Sequence, residues 1–441
     1  MRTPFRTRRT VLTSGAAALV LTLTVSPAAS ADTNRPPQQG GSLVLIGGGL
    51  KDDNAQVYGE IIERAGGDRA RIGVITASSV PASQDPYADD PDRCSNSECN
   101  GAYYADVFKR HGAADAQWVP VDLDRIDNAD ADAVVRQVNS MTGFFFGGGD
   151  QSRYLTTLLN GAEHTDSKVL AAIRAKLAAG AVVSGSSAGA QIAAGADMVT
   201  GGESYQGLRD GSSPGYFEDV TRLGYEPKGG FGFLRSGLID THTGAYGREG
   251  RAMRLAADTG HDRVYGLEEN TALLVEHPGS PREHVRVIGP SGVAVFDLRR
   301  ARVHEGPEPA EAGGEAKRAT WSLAGVRYDY LTEGDRYDPR LRLAFPATGK
   351  RPLAPRSTTP VPANTDVFYS VANPAGAPYS FLTTARALAA TRAQRTAEAT
   401  TYEDRPRFTV TFTKEPGLTT WSGDGTTPQT LTGVSIRVAA R

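Results

Sequence analysis

The residues Gly185-Ser-Ser187-Ala-Gly189 have the Gly-x-Ser-x-Gly spacing that acyl-transfer chemistry asks of a serine. Ala181-Val-Val-Ser184, of buried-strand character, runs straight into them, and an Ala-rich stretch suited to a helix follows. A serine on such a strand-to-helix turn has its hydroxyl lifted clear of the sheet, and small neighbours relieve the crowding of a strained backbone. The next N–H, that of Ala188, falls at a helix N-terminus, where aligned peptide dipoles favour a developing oxyanion. Ser187 is therefore the candidate nucleophile and Ala188 a candidate oxyanion donor. On the residues alone, the same turn would serve an esterase, a peptidase, or nothing more than a Gly/Ser-rich loop.

A serine hydroxyl is too weakly acidic to attack an amide unaided, so it needs a base, and the base needs an orienting group. Of the seven histidines, His242 is the one placed just past an apolar strand-like run, Gly237-Leu-Ile-Asp240. Its neutral imidazole would take the serine proton and later return it to the leaving amine. Asp197, Glu203, Asp240, Glu268 and Glu269 are all eligible as the orienting acid, since each lies near a predicted strand end.

These groups must be held by a scaffold, and the pattern around them alternates short apolar runs with helical stretches. Strands are expected at 42–46, 71–76, 117–121, 143–146 and 181–184, and helices at 54–65, 103–111, 129–139, 151–159 and 167–179. This predicts an α/β fold, a doubly wound and mostly parallel sheet with helices on both faces, whose ligands sit at the carboxyl ends of the strands. The glycine clusters 47–49 and 147–149, and Ser187 itself, fall at such ends. Beyond the elbow, 237–242 reads as a strand and 247–255 opens a helix. Runs 264–267 and 271–275 read as one hairpin, and 285–288 and 293–296 as another. The α/β catalytic domain is thus expected over 41–304. A loop rich in Ala, Glu, Gly and Pro follows over 305–317, and then a C-terminal extension of mixed α+β character over 318–441. Within it, 352–363 is Pro-rich, 385–399 reads as an Ala-rich helix, and 408–412 and 434–438 read as strands.

The first residues stand apart from this pattern. Arg2, Arg6 and Arg8-Arg9 precede an apolar run from Val11 to Val25 and a small-x-small site, Ala29-Ser-Ala31. An export signal over 1–31 is expected, its arginine pair suggesting the twin-arginine route, with a disordered lead-in over 32–40. In an exported chain the two cysteines, Cys94 and Cys99, read as a local disulfide, and their loop offers too few ligands for zinc. Beyond the leader no run approaches about 20 apolar residues, so no stable membrane association is expected after cleavage. The net charge of −2 and the lack of a basic stripe with interleaved aromatics leave nucleic acid without an electrostatic footprint.

Taken together, Gly147-Gly-Gly-Asp150-Gln151, Gly185-Ser-Ser187-Ala-Gly-Ala190, Asp240-Thr-His242 with its spaced arginines, and Gly266-Leu-Glu-Glu-Asn-Thr271-Ala resemble the cyanophycinases. These are serine exopeptidases of the family that also contains the α-aspartyl dipeptidase, with a fold akin to class I glutamine amidotransferases. The resemblance covers 41–288 in the same order and touches 328–338. It implies Ser187 as nucleophile, His242 as general base and Glu203 as the orienting acid, with Asp197 as fallback. It places the second oxyanion N–H in the 148–150 turn, at Gly149 or Asp150. It makes Gln151, Asp240, Thr241, Arg248 and Arg251 the substrate-binding set, with no cofactor. The implied substrate is cyanophycin, an aspartate chain with arginine on each side-chain carboxyl, cut to β-Asp-Arg dipeptides; a homodimer stays open. The chain departs from the pattern at Thr241, where the family often has glutamine, at Tyr246, where it has arginine, and at Glu268, where aspartate is usual. An aspartyl dipeptidase, another serine hydrolase, or a non-catalytic binding protein on the same fold are the alternatives.

Overall fold

The computed structural model describes residues 40–306, 320–425 and 429–441. The expected export signal, residues 32–39 and most of the expected 305–317 loop lie outside the described residues.

Two nine-stranded sheets organise the described residues. The first runs from edge to edge through Leu343–Phe345, Arg336–Asp338, His284–Ile288, Ala272–Glu276, Ser42–Ile46, Val182–Ser186, Gly143–Phe146, Arg71–Ile75 and Asp115–Trp118. From Ser42–Ile46 to Asp115–Trp118 every pairing is parallel, and the remaining pairings are antiparallel. The parallel strands Ser42–Ile46, Gly143–Phe146 and Val182–Ser186 are buried along their whole length, because helices cover both faces there. On one face, Val44, Ile46, Ile72, Val74, Phe145 and Val182 pack with the helices Ala55–Arg64 and Ser97–Arg110. The opposite face meets the helices Asp132–Ser140, Gln151–Leu158 and Lys168–Ala178 over its parallel half. Its antiparallel half is covered by the second sheet.

That second sheet begins with Leu238–Thr241 beside Arg263–Leu267 in parallel, then continues antiparallel through Gly292–Asp297, Thr320–Thr332, Thr430–Ala440 and Phe408–Ser422. Alternation along each strand assigns its two faces. Ile239, Tyr265, Val293 and Val295 join the core shared with the first sheet. Leu238, Val264, Ala294 and Phe296 join a separate core beneath the helices Glu249–Thr259 and Ser380–Ala390.

The expected doubly wound α/β arrangement is present, and four local expectations are corrected. Neither expected hairpin forms: Arg263–Leu267 pairs with Gly292–Asp297, while Ala272–Glu276 pairs with His284–Ile288. Period-2 alternation is the same in either pairing, and the deciding signal was the Pro278-Gly279 turn, with the Ser280 N–H donating to the His277 carbonyl at 3.1 Å. The strand ending at Thr241, expected as part of the single predicted sheet, lies in the second one. The helix expected at 103–111 starts at Ser97, because Asn96 caps it by accepting from the Cys99 N–H at 3.0 Å. The expected disulfide, Cys94–Cys99, ties the capping loop to that first turn. The Ala-rich helix spans Ser380–Ala390, and Thr396–Thr400 is a strand.

The described strands on either side of the expected 305–317 loop, Arg302–Gly306 and Thr320–Thr332, pair with each other in the second sheet. Thr320–Thr332 is an interior strand of the second sheet, and Arg336–Asp338 and Leu343–Phe345 return to the first. Ending the chain at residue 304 would leave Gly292–Asp297 as an exposed edge and strip Tyr328, Tyr330 and Phe381 from the second core. Such a truncation is expected to yield no soluble folded protein. Soluble yield and far-ultraviolet circular dichroism beside the full chain check this; a cooperative, soluble 41–304 fragment would contradict it.

Candidate active site

The elbow serine is strained as its motif requires. Ser187 has φ 54° and ψ −117°, a region L-residues rarely enter, at a cost of about 1–3 kcal/mol. A Cβ built on Gly189 would overlap the Phe146 carbonyl, so the chain can turn this tightly only with glycine there. Hydrogen bonds hold the turn: the Ser187 N–H donates to the Ile46 carbonyl at 3.0 Å, and the Ala190 and Gln191 amides donate to the Ser187 carbonyl at 2.9 and 2.8 Å.

His242 reaches this serine from the other sheet. Its φ is also positive, 53°, and its N–H donates to the Gly47 carbonyl at 2.7 Å. A Cβ on Gly48 would overlap the imidazole, which accounts for one glycine of the first cluster. The Ser187 Oγ lies 2.8 Å from His242 Nε2, and His242 Nδ1 lies 2.7 Å from Glu269 Oε1. A carboxylate can only accept, so Nδ1 carries the proton toward Glu269 and Nε2 is left to accept from the serine hydroxyl. Tyr246 stacks on the imidazole, centroids 4.7 Å apart and planes within 3°.

The carboxylate that meets the imidazole is thus Glu269 and not the expected Glu203. Glu203 makes no hydrogen bond or ion pair with the imidazole; its N–H donates to the Thr221 carbonyl, and its side chain lines a neighbouring compartment. Asp197 is engaged with His261 Nε2 at 2.9 Å. The segment Glu268–Asn270 crosses from the second sheet to the first at the strand ends, which carries Glu269 to the far side of the ring. Asn270, with φ 55°, pins the crossing: its N–H donates to the Gly48 carbonyl at 2.8 Å, and its side-chain oxygen accepts from Asn54 Nδ2 at 2.8 Å. The readable signal was a carboxylate just past the strand that pairs in parallel with the histidine strand.

A pocket of about 310 Å³ opens over the serine, lined by Gly149, Gln151, Ala188, Gln191, Arg248 and Arg251 with Ser187, Thr241 and His242. The Ala188 and Gly149 amides have no acceptor among the described residues, as oxyanion donors require. Asp150 is corrected: its N–H donates to the Ser78 carbonyl at 2.9 Å and its carboxylate caps the helix Gln151–Leu158. Ser78, which the sequence did not flag, also supports the turn by donating its hydroxyl to the Gly148 carbonyl at 2.8 Å. Gln191, likewise unflagged, donates to the Ile239 carbonyl at 2.8 Å.

Asp240 stays out of the pocket. It is buried and grips Arg251 through both oxygens, at 2.8 and 2.5 Å, while Arg251 also donates to the Gly202 carbonyl at 2.7 Å. Arg248 donates to the Thr241 carbonyl at 2.9 Å. Burial, reinforced by Arg251, lowers its pKa to about 10, so it is cationic at neutral pH. Gln151 lines the same pocket and donates to the Val199 and Thr200 carbonyls at 3.3 and 3.2 Å.

The model of peptidase family S51 matches residues 43–280, the span that holds Ser187, His242 and Glu269. The chain belongs to peptidase family S51. It is 28% identical over 262 residues to a cyanophycinase from Synechococcus elongatus, covering 58% of this chain and 68% of that one. The same figures hold for a cyanophycinase from Thermosynechococcus vestitus. Among solved structures, a peptidase from an acI-B1 Actinobacterium aligns with a TM-score of 0.40 at 16% identity, over 68% of this chain and 98% of its own. A putative peptidase E from Listeria monocytogenes aligns with a TM-score of 0.34 at 11% identity, over 57% of this chain and 99% of its own.

In this S51 peptidase the histidine pKa is lowered, chiefly by burial; hydrogen bonding to Glu269 opposes that shift and Arg248 adds to it. The base must be neutral to act, so the acid limb of kcat/KM is expected below the ordinary histidine value of about 6.5. Glu269→Gln removes the group that raises the pKa. It should move that limb to still lower pH and reduce kcat by a factor on the order of 10⁴, whereas Asp197→Asn should change neither. Steady-state pH profiles of the two variants check this; a Glu269→Gln enzyme with unchanged turnover would refute the relay.

Glu268 has a different task. It is fully buried and accepts the Gly244 N–H at 2.9 Å, and burial raises its pKa to about 8. The folded protein therefore keeps a proton here that the unfolded chain releases above about pH 4.5, so this residue makes stability fall as pH rises from about 4.5 to 8. Glu268→Gln, which mimics the protonated acid, should gain stability relative to the parent between pH 5 and pH 8. Urea unfolding at both values reads the difference, and an equal gap at the two would count against it.

Proposed function

We propose that the protein is an exported serine exopeptidase that cleaves cyanophycin to β-Asp-Arg dipeptides. The observation that carries the reading is the continuous chain from Ser187 Oγ through His242 to Glu269, set on a strained elbow beside a pocket that presents two arginines. Ser187 attacks the scissile carbonyl carbon as Nε2 of His242 takes its proton, and Glu269 stabilises the imidazolium. The oxyanion is received by the Ala188 and Gly149 amides. Collapse expels the amine, which takes the proton from His242, and leaves an acyl-enzyme that water, activated by the same imidazole, hydrolyses.

The pocket walls support this substrate class. Arg248 and Arg251 suit carboxylates, which guanidinium groups bind through paired hydrogen bonds, and an aspartyl backbone with free α-carboxylates supplies them. Asp240 keeps Arg251 oriented through both carboxylate oxygens. The likeness to two cyanophycinases supports the choice among aspartyl substrates. Export is supported by the leader-like pattern of residues 1–31, with its Arg8-Arg9 pair, and by the Cys94–Cys99 bridge, since disulfides persist in oxidising surroundings.

Incubation with purified cyanophycin and, separately, with α-aspartyl dipeptides, followed by mass analysis, tests the proposal. Release of β-Asp-Arg by the parent is expected, with a loss on the order of 10⁶ in kcat for Ser187→Ala. Product that survives this substitution would sink the mechanism. Activity on α-dipeptides alone would sink the specificity and leave an α-aspartyl dipeptidase.

A further inference from the structure

Beyond Tyr246 the active pocket is continued by a second compartment of about 660 Å³, whose walls include Glu203, Tyr246, Glu269, Tyr369, Val371 and Tyr379. Tyr246 belongs to both spaces and Glu269 is the acid behind His242, so a ligand here lies next to the reacting groups. The far wall, 369–379, comes from a part of the chain beyond the residues that the family model matches. It is a fixed wall. Asp366 accepts from the Ser370 N–H and from Asn373 Nδ2, both at 2.8 Å, the Tyr379 N–H donates to the Gly244 carbonyl at 2.7 Å, and the Phe368 carbonyl packs against Gly247 so closely that no Cβ would fit there.

The chemistry of these walls differs from that of the catalytic pocket. There the charged side chains facing the ligand are arginines; here they are the carboxylates of Glu203 and Glu269, with tyrosine rings beside them. The Glu203 carboxylate makes no hydrogen bond or ion pair among the described residues, although it is partly buried, and burial raises its pKa while Arg251 and Arg248 oppose this. An unpaired carboxylate beside aromatic faces is the setting that a planar cation fits, through charge-assisted hydrogen bonds and stacking on a ring.

We propose that this compartment is a subsite for a guanidinium side chain carried by the substrate next to the scissile bond, with Glu203 as its counter-ion and Tyr369 and Tyr379 as its platform. The proposal rests on the reading of the adjoining pocket as that of a peptidase for arginine-bearing aspartyl chains. It gives Glu203 a binding task in place of a catalytic one, and it gives the C-terminal extension a share in specificity.

Binding to the Ser187→Ala protein tests the subsite without turnover. A short β-Asp-Arg oligomer and its citrulline counterpart, which has the same shape without the charge, are titrated by calorimetry. The arginine form should bind about tenfold more tightly, as one charge-assisted contact warrants, and adding Glu203→Gln should remove most of that preference. Tyr369→Ala should reduce it by a smaller factor. In the catalytically intact protein Glu203→Gln should raise KM for the arginine substrate about tenfold with kcat retained, which a merely structural role would not do. Equal binding of the two oligomers, including failure of both to bind, overturns the subsite, as does a preference untouched by both substitutions. Failure of the proposed reaction would be seen separately, as absence of product from the parent while the Ser187→Ala protein still prefers the arginine form.

Discussion

Three successive carbonyls at the end of one strand set the register of the whole site. Ile46 accepts from Ser187, Gly47 from His242 and Gly48 from Asn270, at 3.0, 2.7 and 2.8 Å. Each donor has a positive φ that an L-residue adopts only under constraint, and each comes from a different part of the chain. The strain, about 1–3 kcal/mol apiece, persists because the surrounding structure over-determines each residue. Nucleophile, base and the residue that follows the acid are thus indexed on a single backbone edge, and the imidazole fits over it only because Gly48 has no side chain. The packing of one sheet on the other serves this alignment. Without it His242 and Glu269, which follow two adjacent strands of the second sheet, would not meet a serine that belongs to the first.

Several carboxylates crowd the same region, and their surroundings separate their roles. Asp240 is committed to Arg251. Glu268 and Glu249 are buried, burial pushes both toward the neutral form, and Glu268 adds to the cost of ionising Glu249. Glu269, partly exposed, accepts from the imidazole. Environment, not position in the sequence, divides acid from ion-pair partner from buried hydrogen-bonding group.

That division explains which parts of the site were legible in the sequence. The elbow, the parallel strands and His242 were readable, because each is a local pattern: a buried run, a tight turn, a polar residue at a strand end. The acid was not, because the choice among Asp197, Glu203, Asp240, Glu268 and Glu269 depends on which strands share a sheet. Alternating apolar residues at 264–267, 272–275, 285–288 and 293–296 look alike whichever way they pair, so the crossing at Glu268–Asn270 was invisible until the sheets were assembled. Asp150 was lost as an oxyanion donor for a similar reason: its amide is occupied by Ser78, a residue some seventy positions earlier that no spacing rule would connect to it.

Two of the three departures from the cyanophycinase pattern, Thr241 and Tyr246, fall on one short turn, and the turn is clamped from both sides. On the inner side its histidine is held by the Gly47 carbonyl; on the outer side Gly244 and Gly247 are met by Tyr379 and Phe368 of the C-terminal extension. Through Thr241 the chain contributes a backbone carbonyl to Arg248, a contact indifferent to whether the side chain there is threonine or glutamine. Tyr246 replaces a cation with a ring that stacks on the imidazole on one side and lies 4.9 Å from the Arg248 guanidinium. Neither change touches the atoms that move the proton. Both alter the surface a substrate meets, at the place where the extension supplies the opposite wall, so the extension and the altered turn are best understood as one device that acts on the choice of substrate and leaves the acyl-transfer groups as they are.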